Sequence, residues 1–346
     1  MSSSRNILIA AHIIPETRAG VQLPAWQTAL AEAFKDPQGL LSHLQLKPEN
    51  LADRQLAQRQ FSLKVPRHYA NLMTKGDPHD PLLRQVLPCR EEMVDTPGFI
   101  DDPVGDLQAK QQPGLLHKYK GRVLILTTGA CGVHCRYCFR RHYPYQNGTA
   151  TPGQWQSILD TIRRQATIQE VILSGGDPLM INDQRLEKML AELQALPQLK
   201  RLRLHSRLPV VLPQRITPEL LELLSSNRLQ GVMVLHANHP NEISPELAEA
   251  CEKMRAAGIT LLNQSVLLKG VNDDAETLVR LSERLFEIGV MPYYLHLLDR
   301  VSGAGHFEVE PDRIELLKRQ LLQQLPGYLV PRMVREIAGE ASKTPV

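Results

Sequence analysis

Three cysteines fall within eight positions of the chain, in the segment Cys131-Gly-Val-His-Cys135-Arg-Tyr-Cys138. Three thiolates on one short loop can cap three irons of a [4Fe–4S] cube. The fourth iron then lacks a protein ligand and is open to a small molecule, such as the amino and carboxylate groups of a methionine. An electron passed from such a cluster into a sulfonium breaks a C–S bond and leaves a carbon radical. Three other readings of these residues stay open. They are a zinc site with His134 or a distant residue as fourth ligand, a redox-active Cys135-x2-Cys138 pair, and ordinary buried thiols. Cys89 and Cys251 have no neighbours of ligating type and read as small buried hydrophobes. Five cysteines, an odd number with three clustered, do not suit a secreted disulfide framework. They place the chain in a reducing cytoplasm.

Such a loop needs a scaffold, and the sequence around it supplies a regular one. Six apolar segments read as buried strands: 122–128, 170–175, 201–206, 231–237, 260–268 and 291–299. After the first long interval their starts recur about every 30 residues, the length of one βαβ step. Amphipathic stretches lie between them, several opening with Ser or Thr followed by Pro-Glu, a good N-cap and first turn. Gly258 and Gly289 stand where helix C-caps are expected. Strands alternating with helices predict a parallel sheet, either open and doubly wound or an incomplete barrel. The strand ends carry Cys131, then Ser174-Gly175-Gly176-Asp177, His205-Ser206-Arg207, His236 and Asp299, with Asn263-Gln264 on the fifth strand. Active sites of β/α barrels are built at those C-terminal ends. Loop polarity alone accounts for Ser and Asp there, less well for His, Arg and Gln.

Residues 1–115 differ. PAWQTALAEAF, NLADRQLAQRQF and HYANLMTK carry helical spacing, separated by Pro- and Asp-rich turns such as GDPHDP and DTPGFIDDPVGD. The expected organisation is a helical N-terminal region and linker over 1–115, then a barrel with a C-terminal tail over 116–346. With 346 residues and 42% hydrophobic content, the chain can bury a sizeable core. A net charge of +3 is too weak to imply a nucleic-acid partner. No run of about 18 apolar residues predicts a membrane span. The stretch MSSSRNILIAAHIIPETR, broken by His12, lacks the form of a signal peptide. One rival of another class is a zinc-bound module that stacks single-stranded RNA. It would use the basic run Arg136 to His142 with Tyr137, Phe139, Tyr143 and Tyr145 interleaved. It leaves the strand-end residues unexplained.

Cys-x3-Cys-x2-Cys after a first barrel strand, with Gly-Gly-Asp-Pro ending the second, resembles the radical S-adenosylmethionine (SAM) superfamily. There a glycine-rich segment lets backbone approach the methionine amino group, which glycine allows physically. Over residues 80–346 the chain is similar to the lysine 2,3-aminomutase family. The segments that carry this are LLHKYKGRVLIL, CGVHCRYCFRRH, LSGGDPL, SRLPVVLPQRIT, HANHPNEI, LLNQSVLLKGVND, GHF and SKTP. PGLLHKY, CRYCFRRH, VMPYYLHLLD and GYLVPRMVREIAGE resemble its short bacterial members, which make (R)-β-lysine for elongation factor P.

The resemblance implies an α/β fold, a partial (β/α)6 radical SAM barrel after a helical N-terminal region. It implies three cofactors: a [4Fe–4S] cluster, SAM and pyridoxal 5′-phosphate (PLP). In the family, lysine joins PLP as an imine, a deoxyadenosyl radical takes a β hydrogen, and nitrogen migrates from the α to the β carbon. The cofactors carry the hard chemistry and the protein orients them. By position, Cys131, Cys135 and Cys138 match the cluster ligands and Lys343 the PLP lysine. Arg140 matches the arginine on the substrate carboxylate, which a guanidinium fork suits. Asp299 and Glu336 match the acid pair that grips the distant ε-ammonium. Ser174, His236 and Gln264 match SAM contacts, with Gly175, Gly176 and Asp177 in the glycine-rich segment. Tyr119 and Arg122 match the PLP ring and phosphate end.

Two departures stand out: Glu336 replaces a family Asp, and Lys118 stands where the large lysine-fermenting enzymes have Arg. The chain also lacks those enzymes' zinc-binding C-terminal cysteines, so no structural zinc is expected. The partners implied are free L-lysine, a reductant such as flavodoxin or ferredoxin, and elongation factor P with its lysyl ligase.

Overall fold

The apolar runs that begin at Arg122 form the parallel centre of one ten-stranded sheet in the computed structural model, which describes residues 24–346. In chain order its strands are β1 (Lys110–Gln112), β2 (Leu115–Tyr119), β3 (Arg122–Thr128), β4 (Glu170–Gly175), β5 (Arg201–Ser206), β6 (Gln230–Leu235), β7 (Thr260–Val266), β8 (Met291–His296), β9 (Arg332–Arg335) and β10 (Thr344–Pro345). They lie side by side in that order. Neighbours from β3 to β9 are parallel, whereas the β1–β2, β2–β3 and β9–β10 pairs are antiparallel. The six expected strands are β3 to β8, the first three with the expected bounds. The last three end two or three residues sooner; after β6 a side chain takes over from the ladder. Asn263 accepts from the Ala237 N–H at 2.9 Å and donates to its carbonyl at 3.0 Å.

Helices return the chain between the parallel strands. Thr217 and Ser244 cap Pro218–Ser225 and Pro245–Ala256 by accepting from Leu220 and Leu247 N–H. Each such cap is worth about 1 kcal/mol. Gly258 and Gly289 end the helices Pro245–Ala256 and Ala275–Glu287 at φ +77° and +75°, a region costly for any residue with a Cβ. The result is the expected α/β partial barrel with six β/α units.

The helical segments expected before the barrel form at Ala25–Ala31, Leu51–Gln60 and Arg67–Asn71. Trp26, Tyr69 and Leu82 belong to the same buried cluster as Ile125, Leu173 and Met233 of the sheet. The N-terminal region therefore packs onto the barrel through a shared apolar core. The signal-peptide question falls in residues outside those described. Among the described residues no helix is long and apolar enough to cross a membrane.

Candidate active site

The cysteine loop leaves the end of β3 and is pinned from both sides. Lys64 donates to the Cys131 carbonyl at 2.9 Å, and the His134 and Arg136 N–H groups donate to the carbonyls of Lys64 and Gln85. His134, the possible fourth zinc ligand, instead places Nδ1 2.9 Å from the Ser62 carbonyl, tying the loop to the N-terminal helices. Burial is the main reason its pKa falls to about 4. The Cys131 thiol is pushed well up by burial, then by Cys138, Asp177 and Cys135. Burial and Cys135 raise Cys138 to about 11. Three thiols close together on a half-buried loop are a donor set that iron would neutralise. Among the described residues no three His, Cys, Asp or Glu side chains converge on a single-ion site. Thiolates that cap separate irons of a cube need no such convergence.

The three arginines of the basic run behind the loop are interior, which removes the basis for an RNA-stacking surface. Arg136 is fully buried, and its guanidinium donates to both Glu92 oxygens, at 2.8 and 2.5 Å. Arg141 shares that carboxylate at 2.8 Å. Arg140 donates to Asp106 at 2.6 Å and to the Ser174 hydroxyl at 3.3 Å. Arg136, Arg140 and Arg141 thus form buried pairs with acids far off in sequence.

At the end of β4 the glycines are required by the chain itself. A Cβ on Gly175, whose φ is +125°, would meet the Thr128 carbonyl oxygen at 2.5 Å. One on Gly176 would meet that of Ala130 at 2.3 Å. The close neighbour they accommodate is therefore the approach to Cys131, a packing reason the sequence did not disclose. Asp177 spends both oxygens on bracing. They accept from Leu179 N–H and Ser206 Oγ on one side and from Arg207 and Leu208 N–H on the other. Asp177 thereby locks the end of β4 to the end of β5. Farther round, the Gln264 amide nitrogen lies 2.8 Å from His236 Nε2. Burial, with Arg207, Arg140 and Lys343 nearby, drops the His236 pKa to about 3, so the ring is neutral.

The C-terminal tail completes the mouth. β10 pairs with β9, with Thr344 opposite Arg335, and this two-residue clip turns Lys343 inward. Its ammonium donates to Glu336 Oε2 at 2.6 Å and lies 5.6 Å from the centre of the Tyr294 ring, with 22% of the side chain exposed. The other Glu336 oxygen accepts from Tyr119 at 2.9 Å and Lys118 at 3.2 Å. Burial would raise the Glu336 pKa, but Lys343 and Lys118 outweigh it and hold it at about 2. Asp299 sits in the same field, but there the two lysines do not outweigh burial. Burial dominates and lifts it to about 7, while Lys343 pulls it down and Glu336 pushes it up. Arg122 stacks over Tyr119 at 4.6 Å.

Lys343, Glu336, Asp299, Tyr119 and Arg122 thus share one end of the mouth, and Arg140 lies beside Ser174. Sequence reasoning missed Asp106, which pairs with Arg140 and with Lys118 at 2.7 Å. It lies in a stretch that reads as linker. Among the described residues, buried His205 Nε2 and His296 Nε2 have no hydrogen-bond partner, and both rings are kept neutral by burial and then by cations including Lys343. Unpartnered ring nitrogens around an inward lysine and tyrosine give a polar lining suited to PLP.

Residues 125–282 match the Radical SAM superfamily. The L-lysine 2,3-aminomutase of Escherichia coli (strain K12) is 50% identical over 323 residues, 93% of this chain and 94% of that protein. The L-lysine 2,3-aminomutase of Haemophilus influenzae (strain ATCC 51907 / DSM 11121 / KW20 / Rd) is 47% identical over 332 residues, 96% and 98% of the two chains. That of Clostridium subterminale is 35% identical over 323 residues, 93% of this chain and 77% of that one. Similarity of this extent places the chain in the L-lysine 2,3-aminomutase family of the radical SAM superfamily.

Proposed function

We propose that the chain is an isomerase that converts L-lysine to β-lysine, and that its product supplies a lysyl ligase that modifies elongation factor P in the cytoplasm. The observation that carries the reading is the inward Lys343, held by Glu336 with Asp299 in the same field. A tail lysine without a task would stay in solvent. Relatives named for this reaction support the substrate.

In this reading Cys131, Cys135 and Cys138 hold three irons. Ser174, His236, Gln264 and the Gly175-Gly176 main chain hold SAM, and Asp177 keeps that segment in register with β5. Lys343, Tyr119 and Arg122 hold PLP. When bound, these groups supply a carbon radical and a conjugated system that steadies it. The chain orients the substrate between them. Arg140 offers its terminal nitrogens to the carboxylate while Asp106 fixes its Nε. Asp299 and Glu336 face the ε-ammonium, which selects a long cationic side chain. His205, His236 and His296, kept neutral by burial and nearby cations, add no positive charge that would compete with the ε-ammonium. One electron enters from a flavodoxin or ferredoxin.

Anaerobic turnover tests this. Protein with reconstituted cluster, PLP, SAM, dithionite and L-lysine should yield β-lysine by chiral chromatography, and none without SAM. SAM cleavage without β-lysine would overturn the substrate, pointing to another amino acid or a protein-attached lysine. Addition of the ligase and elongation factor P should then transfer the product; a ligase that ignores it would remove the downstream role.

A further inference from the structure

Arg207 lies at the end of β5 with 5% of its surface exposed, and the reaction as described does not use it. Its Nη1 is 2.6 Å from Cys135 Sγ and 2.6 Å from the Tyr137 hydroxyl. Its Nη2 donates to Tyr69 at 3.0 Å and to Gln85 and Glu242 at 2.7 Å. Glu242 accepts in turn from the Tyr69 hydroxyl at 2.6 Å and from the Asn238 N–H at 2.5 Å. Asp177 grips the Arg207 N–H, so main chain and guanidinium are both fixed. A buried cation is thereby aimed at one sulfur of the cysteine motif, and two residues of the N-terminal helical region, Tyr69 and Gln85, set its aim.

We infer that Arg207 is a positioning residue that sets the reduction potential of the cluster through Cys135, and that the N-terminal region serves the cluster by holding it. One-electron reduction adds a negative charge to the cluster and no proton. A guanidinium hydrogen bond at a ligand sulfur stabilises the reduced form and raises the potential. Only one of the three cysteine sulfurs receives such a donor from Arg207. The inference rests on the family's cluster and not on lysine as substrate, so it stands or falls without lysine present.

The test is an EPR-monitored redox titration of the reconstituted protein with dithionite and mediators, in the absence of lysine. Charge-assisted hydrogen bonds are worth roughly tenfold or more in an equilibrium. R207Q and R207K should therefore lower the reduced-to-oxidised ratio at fixed ambient potential by about tenfold, about 59 mV for one electron. Iron and sulfide content should not change. R207Q leaves Glu242 buried and unpaired, so R207Q/E242Q, which neutralises both partners, serves as the second variant. An unchanged midpoint in fully loaded variants would overturn the inference and leave Arg207 a brace. So would loss of iron from folded protein, or loss of the fold in all three variants.

Discussion

Replacing Glu336 by Gln should remove a measurable part of the acid stability of the PLP-free chain. The carboxylate meets Lys343 at 2.6 Å and Lys118 at 3.2 Å, and its side chain is 12% exposed. Its pKa is about 2 against an ordinary 4.5, because those two ammoniums overcome the burial that would raise it. At about 1.4 kcal/mol per pH unit, that difference corresponds to about 3 kcal/mol of stability. The sign follows from the depressed value. The contribution is complete above about pH 4.5 and is lost as pH falls towards 2. Urea unfolding of wild type and E336Q across that interval measures it. The wild type should be more stable by about 3 kcal/mol at pH 7, and the gap should close as both approach pH 2. Two curves that run parallel at every pH would refute the reasoning, since they would show that Glu336 gains nothing from its charge.

Asp299, lifted to about 7 by burial, carries its charge only above neutrality. Lysine binding should therefore strengthen as pH rises through about 7, with roughly a tenfold loss per pH unit below it; a D299N variant that keeps this dependence in calorimetry would remove Asp299 from the ammonium site. K343A should abolish the absorbance of protein-linked PLP while iron content stays constant, and an unchanged spectrum would move the PLP lysine elsewhere. R136A leaves Glu92 buried with Arg141 alone and should cost about 3–5 kcal/mol in urea unfolding. A loss under about 1 kcal/mol would mean that the pair is not buried in solution.

What could be read in advance divides along physical lines. β3 to β8 were legible because buried parallel strands are continuous apolar runs, and their helices begin at side chains that cap. β10 was not, because two residues, Thr344 and Pro345, have no periodicity to read. The interior position of Arg136 and Arg141 was hidden for another reason. A guanidinium looks solvated in sequence until its acid is known, and Glu92 lies more than forty residues away. Asp106 was lost inside a Pro- and Asp-rich linker for the same reason. The roles of Gly175 and Gly176 were half visible. Close approach was expected, and the chain's own carbonyls of Thr128 and Ala130 are among the groups a Cβ would meet. Lys343 gave no signal of its own, and only resemblance singled it out.

The contact between Lys118, Tyr119 and Glu336 has a consequence for the order in which the molecule assembles. These residues stand 217 and 218 positions apart, one group on β2 and the other just past β9. Contacts of such separation are closed late, after local helices and neighbouring strands have formed. Emerging from the ribosome, the chain can pair β2 to β8 and seat the cysteine loop before the tail exists to reach them. The cluster end of the barrel is therefore the early half of the active site, and the lysine end is the last piece to arrive.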